Sequence, residues 1–291
     1  MRFSFGILAF LAISNTGINA KRSARMLNGQ QIDITEAPFT VMIHVAEALH
    51  SINGLVCGGS IIGRRHILTA AHCLAQYISD YELMFDYEWL HVIAGVTGHQ
   101  CGVRTFEILH AYVHPDFTGN LHDTENNKAD IAVLKLKDRI IYRSTHRRID
   151  LASHQPPTNA QGFIYGWGYT DINAQSPSNT LQKTVVKIYD YETCQGLDRA
   201  FGYVKDELCM KGNPDGTSAC AGDSGGPLVV DGKLVGIISN GYECGSPEPS
   251  AICNVAYYKP WIEDAIRGIA QSRTLPFTTI TDHAPPSGAQ C

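Results

Sequence analysis

The sequence predicts an all-β fold, on three observations. Short apolar runs rich in β-branched residues recur along the 291-residue chain, Gly, Asn, Asp or Pro separates them, and long helical patterns are scarce. The first run, Phe39–Val45, carries Val41, Ile43 and Val45, and the second, Leu55–Ile62, ends on two isoleucines. His91–Gly95 and Thr105–Val113 follow, then Ile131–Leu136, directly after an aspartate. The pattern continues in Gly162–Trp167, Thr184–Tyr189, Pro227–Val230 and Leu234–Ser239, and Cys253 falls in a further buried strand. Ala70–Leu74 has the length of a single helical turn. The strong helical pattern is Lys259–Ile269, where Trp261, Ile262, Ala265, Ile266 and Ile269 share a face. The last stretch, 271–291, holds Pro276, Pro285, Pro286 and Gly288 and reads as irregular.

The N-terminus reads as an export signal. Arg2 precedes an apolar stretch, Phe3 to Ile13, and a signal-peptidase site follows Ala20. The stretch is too short to span a bilayer, and no other segment approaches that length, so a secreted protein with no membrane partner is expected. An exported chain meets an oxidising compartment, where its nine cysteines read as disulfide partners. Nine is odd, so at least one is free or joins another chain. No cysteine or histidine spacing reads as a zinc site, and neither metal nor cofactor is expected. The net charge of −5, without a prominent basic run, argues against nucleic acid as a partner.

Three segments carry chemistry: Leu68-Thr69-Ala70-Ala71-His72-Cys73, Ala129-Asp130-Ile131-Ala132-Val133-Leu134-Lys135-Leu136 and Ala221-Gly222-Asp223-Ser224-Gly225-Gly226-Pro227. Taken singly, they read as a core histidine, a capping aspartate and a turn. Together they supply a base, an orienting carboxylate and a nucleophile. A serine hydroxyl is a poor nucleophile at neutral pH and needs a neighbouring base, which in turn needs a third group to fix its tautomer. His72 suits the base, because imidazole can both take and return a proton near working pH. Asp130 suits the third group.

The order His, Asp, Ser and these flanking residues resemble the chymotrypsin-like (S1) serine endopeptidases. The resemblance runs from about Met26 to about Ala270. It implies two six-stranded antiparallel β-barrels with a C-terminal helix. The expected division is a signal peptide 1–20, a pro-segment 21–25 and a peptidase domain 26–270, then the tail 271–291. Within the domain, barrel one would span about 26–140, barrel two about 141–258 and the helix about 259–270. His72 and Asp130 would lie in the first barrel, Ser224 in the second, with the substrate cleft between them. The backbone N–H groups of Gly222 and Ser224 would form the oxyanion hole. Disulfides are implied for Cys57–Cys73, Cys194–Cys209 and Cys220–Cys244. Cys101, Cys253 and Cys291 are left over; Cys101 pairing with Cys291 would pin the tail to the first barrel. The stretch between His91 and Thr105 is too short and too poor in carboxylates for the calcium loop of some relatives.

The resemblance also implies activation by cleavage after Arg25. A new terminus at Met26 would insert its ammonium beside Asp223 and order the oxyanion loop. Met26 departs from the usual Ile or Val. Ser218 would sit at the floor of the primary specificity pocket, where relatives that cut after Lys or Arg carry aspartate. A cationic side chain would be buried there unpaired, so an apolar or aromatic side chain is expected, with small residues as second choice. Gly241 and Ser250 would form the walls, Ser250 in place of the usual glycine. Ser239 would hydrogen-bond near Asp130. Asn240 stands where relatives usually carry Trp, and with Asn127 it would make the outer subsites more polar. The expected partners are protein or peptide substrates, an activating trypsin-like protease and protein protease inhibitors, acting on a monomer. The alternative from another class is a non-catalytic or partner-dependent homologue, which Met26 and Asn240 leave open.

Overall fold

The computed structural model describes residues 29–272 apart from 50, 80–81, 86, 88, 100–102, 120–128, 172 and 215. After β1 (Gln30–Gln31) come β2 (Thr40–Val45), β3 (Leu55–Gly63) and β4 (His66–Thr69), a separate hairpin of β5 (Ala75–Ser79) and β6 (Glu82–Phe85), then β7 (Leu90–Ala94), β8 (Thr105–Val113) and β9 (Ala132–Leu136). Strands β2, β3, β4, β9, β8 and β7, in that spatial order, close into a six-stranded antiparallel barrel.

The chain then continues through β10 (Asp150–Leu151), β11 (Ala160–Gly166), β12 (Gln182–Tyr189), β13 (Glu207–Gly212), β14 (Pro227–Val230), β15 (Lys233–Ile238) and β16 (Ser250–Asn254). Here β12, β11, β14, β15, β16 and β13 are each antiparallel to the next, and β13 returns to β12, closing a second six-stranded barrel. The short β10 lies parallel to β15. β1 pairs with the start of β12, so the described chain begins on the second barrel before it builds the first.

The strands form where the apolar runs predict them because closure gives each strand an inner face. On β12 burial alternates residue by residue, with Gln182, Thr184, Val186 and Ile188 inward. Ile164, Leu208, Met210, Leu228 and Ile252 meet Val186 and Ile188 in the core of barrel two. Barrel one is filled from Val41, Ile43, Ile67, Val92, Phe106 and Leu134, and its core runs on to Ile262 and Ala265 of the C-terminal helix. Each such side chain contributes about 1.5–3 kcal/mol on burial.

Two helices differ from the sequence expectation. The C-terminal helix α2 spans Val255–Arg267, four residues earlier than expected, because the Asn254 side chain caps the Ala256 and Tyr257 N–H groups. It passes through Pro260 and ends at Gly268, whose left-handed backbone (φ 79°) stops it and leaves Ile269 exposed. The short α1 (Tyr191–Leu197) has one buried residue, Cys194, too little for an apolar period. Its usable signal was the cap, Asp190 Oδ1 accepting from the Thr193 N–H at 2.9 Å. The expected turn at Ala70–Leu74 is a 3-10 turn over Ala71–Leu74.

All three implied disulfides form: Cys57–Cys73, Cys194–Cys209 and Cys220–Cys244. Cys253 is a free thiol buried in β16, and burial pushes its pKa well up, which keeps it unreactive. Cys101 and Cys291 lie outside the described residues. No helix among those residues is long and apolar enough to cross a membrane.

Candidate active site

The three motifs meet between the barrels. His72 stands on the 3-10 turn after β4, tied at its base by the Cys57–Cys73 disulfide. Asp130 immediately precedes the Ile131–Leu136 run and is 4% exposed. Its carboxylate accepts three hydrogen bonds: from the His72 ring Nδ1 at 2.8 Å, from the His72 backbone N–H at 2.9 Å and from Ser239 Oγ at 2.5 Å. Ser239 is thus where the sequence expects it.

These contacts decide the charge states. Burial alone would lift the Asp130 carboxyl, but His72 and the donated hydrogen bonds hold it below the usual carboxylate range. Burial alone would depress His72, yet the Asp130 carboxylate outweighs this and raises it. The ring is therefore fixed with Nδ1–H toward Asp130, leaving Nε2 as the basic nitrogen. Asp130→Asn should cost about 10⁴-fold in kcat, because an amide at this position favours the wrong imidazole tautomer. Steady-state kinetics on a peptide chromogen reads that loss.

The Ser224 turn is built from the other barrel. Ser224 O accepts from the Gly58 N–H at 2.7 Å, and the Gly225 N–H donates to Ile238 O at 2.7 Å, so the turn is sewn to both barrels. Gly222 holds φ at +90°, a conformation glycine adopts freely. The Gly222 and Ser224 N–H groups donate to no acceptor among the described residues, in contrast to the Asp223, Gly225 and Gly226 amides around them. Two free donors on either side of Asp223, one of them the serine's own amide, suit an oxyanion.

Asp223 lies directly behind this turn, fully buried. Its carboxylate accepts from the Gly168 N–H at 2.8 Å and the Cys220 N–H at 3.0 Å. A Cβ at Gly168 would stand 2.5 Å from the Asp223 carboxylate, so the close approach requires glycine there. No cation pairs with Asp223 among the described residues, and burial pushes its pKa up to about 7.

Beside Ser224 opens a cavity of about 260 Å³, lined among others by Ala219, Ala221, Ile238, Asn240, Gly241 and Ser250. Gly241 and Ser250 face each other closely: a Cβ on Gly241 would lie 2.6 Å from Ser250 Oγ. Ser218 does not line the cavity; its hydroxyl accepts the Gly245 N–H at 2.8 Å and braces the wall that carries Cys244. Asn240 folds its side chain onto the backbone, Oδ1 accepting the Gly241 N–H at 2.8 Å. Tyr242 and Glu243 also line the cavity, although no motif pointed to them. Their only signal was their place between Gly241 and Cys244. A larger cavity of about 430 Å³ beside α1, lined by Glu192, Gln195, Asp198, Arg199 and Tyr203, holds none of the motif residues.

The sequence profile of the Trypsin family matches residues 26–262. The chain belongs to the trypsin family. It is a chymotrypsin-like serine endopeptidase of two barrels. It is 32% identical over 247 residues to a trypsin of Simulium vittatum, covering 83% of this chain and 93% of that one. It is 32% identical over 271 residues to trypsin iota of Drosophila melanogaster, covering 91% and 99%. Among solved structures, neuropsin, a serine protease of mouse brain, superposes with a TM-score of 0.69 at 27% identity, covering 82% of this chain and 98% of that one.

Family membership bears on the one candidate metal cluster among the described residues, Cys57, His72 and Cys73. The two sulfurs are bonded to each other, so neither is a thiolate ligand. Arg25, Met26 and Asn127, the remaining residues implied for activation and subsites, lie outside the described residues.

Proposed function

We propose that this trypsin-family chain is a secreted endopeptidase made as an inactive precursor, cut after Arg25, with preference for apolar or aromatic side chains. The observation that carries the reading is Asp223: a buried carboxylate without a cation among the described residues, one residue from both oxyanion donors. A buried unpaired charge is costly, and the ammonium of a newly freed Met26 supplies the missing partner. The pairing orders the turn that holds Gly222 and Ser224.

In the cleaved enzyme Ser224 Oγ attacks the scissile carbonyl carbon while His72 Nε2 takes its proton. The carbonyl oxygen becomes an oxyanion held by the Gly222 and Ser224 N–H groups. Collapse breaks the C–N bond, His72 returns the proton to the leaving amine, and an acyl ester remains on Ser224. Water, deprotonated by His72, then releases the acid and restores the serine. Asp130 stays ionised throughout and stabilises the imidazolium.

The preference rests on a cavity with no buried carboxylate among its lining residues to meet Lys or Arg; its one acidic lining residue, Glu243, is exposed. This separates the chain from what the name trypsin suggests for its relatives. The Ser250 hydroxyl beside Gly241 limits the cavity's width. Gly241→Val should therefore close it. Its Cβ meets Ser250, and kcat/KM on a Phe chromogen should fall about 10- to 200-fold relative to an Ala chromogen.

The test uses recombinant precursor cut at Arg25, the cutting protease then inhibited, assayed on chromogens with Phe, Leu, Ala or Arg at the primary position. Cleavage of Phe or Leu, dependent on the cut, is the expected result. Preferential cleavage after Arg overturns the pocket reading. No turnover from a chain with a clean Met26 terminus overturns the catalytic one.

A further inference from the structure

Ala129, the residue before Asp130, holds φ at +55°, in the left-handed region that a side chain disfavours. A residue stays there only when its surroundings hold it. What holds it comes from the opposite barrel. The Ala129 N–H donates to Asp206 Oδ2 at 3.1 Å, across 77 residues of sequence and in a buried setting. Asp206 lies in the turn leading into β13 and is 6% exposed. Its Oδ2 also accepts the Tyr258 hydroxyl from the first turns of α2, and its backbone oxygen accepts the Asn254 N–H at 3.1 Å, at the cap of the same helix. The His114 ring, from the end of barrel one, packs edge-on against Tyr258 with centroids 5.0 Å apart. A carboxylate anchored on the second barrel and its helix thus grips the peptide that leads into Asp130. The Asp130 carboxylate in turn depends on its backbone to reach the ring Nδ1 and the backbone N–H of His72.

We propose that Asp206 is a positioning residue for the reaction: it clamps Ala129 in the left-handed conformation and so sets the Asp130 carboxylate against His72. The clamp joins the barrel that carries His72 and Asp130 to the barrel that carries Ser224. The proposal rests on the roles assigned above to Asp130 and His72.

The test compares three forms of the cleaved full-length protein, each normalised by titration of reactive Ser224. Asp206→Ala should lower kcat about 10- to 100-fold with KM changed less than about threefold, as expected for a misplaced catalytic group. Asp206→Asn, which keeps an oxygen to accept the Ala129 N–H, should stay near wild type. Asp206→Ala combined with Ala129→Gly should recover most of the lost kcat, since glycine takes positive φ without a clamp. The downfield proton resonance of His72 Nδ1–H should weaken in Asp206→Ala and return in the double variant. That signal is read without turnover, so it separates failure of the clamp from failure of the catalytic reading. A titrated kcat for Asp206→Ala within twofold of wild type, or a loss that Ala129→Gly does not recover, overturns the proposal. Should Asp206→Ala not fold, the wild-type protein decides: slow deuterium exchange at the Ala129 amide is expected, and fast exchange overturns the clamp.

Discussion

Replacing Ser224 by alanine in the cleaved enzyme should lower kcat about 10⁶-fold while leaving KM for a peptide chromogen within a few-fold. The side chain removed is the only one in the site that forms a bond to substrate. Everything built around it remains: the His72–Asp130–Ser239 hydrogen bonds, the two free N–H donors and the cavity. Residual activity over water would come from those donors and from binding alone. Stopped-time assays on a sensitive fluorogenic peptide give the size of the loss. A variant with more than about 1% of wild-type kcat would place the nucleophile elsewhere.

The second large effect concerns Asp223. In the cleaved enzyme Asp223→Asn should reduce kcat/KM about 10²- to 10³-fold, because under the proposed pairing it would leave the Met26 ammonium buried without a partner. The precursor should show the reverse side of the same charge. Burial lifts the Asp223 carboxyl to about 7 in the folded chain, against about 4 unfolded. The folded precursor therefore holds a proton there that the unfolded chain has lost between pH 4 and 7. Its stability falls as pH rises through that window, by roughly 4 kcal/mol at most. Thermal unfolding across pH 4–8 checks this: the precursor should lose more stability over that range than its Asp223→Asn variant, whose side chain does not ionise. Equal slopes would mean that Asp223 already has a cation in the uncut chain.

The catalytic motifs were legible because chemistry limits which residues can serve. Gly222, Asp223 and Ser224 sit together since the free amides, the buried carboxylate and the hydroxyl must share one turn. The strands were legible where a run is closed by turn residues, as in Thr105–Val113 and Pro227–Val230, whose observed bounds are the expected ones. Helix α2 began earlier than its apolar stripe because a cap, not the stripe, sets a helix start; Asn254 was the signal.

Other features had no sequence signature. Asp206 reads as an ordinary turn residue, and its grip on Ala129 depends on a contact made 77 residues away. Ser218, expected at the pocket floor, turns its hydroxyl to accept the Gly245 N–H, and the next two residues, Ala219 and Cys220, line the cavity. Which way a small polar side chain turns is settled by the nearest unpaired backbone donor, and spacing along the chain does not reveal that donor. Asn240 shows the same limit: its amide oxygen accepts the neighbouring Gly241 N–H.

The most direct measurement is labelling with a serine-directed phosphonate, before and after cleavage at Arg25, with the modified peptide located by mass spectrometry. The expected result is slow or no labelling of the precursor, rapid stoichiometric labelling of the cut enzyme at Ser224, and none in Ser224→Ala. Labelling at another residue, or an unreactive Ser224 behind a correctly freed Met26, would contradict it.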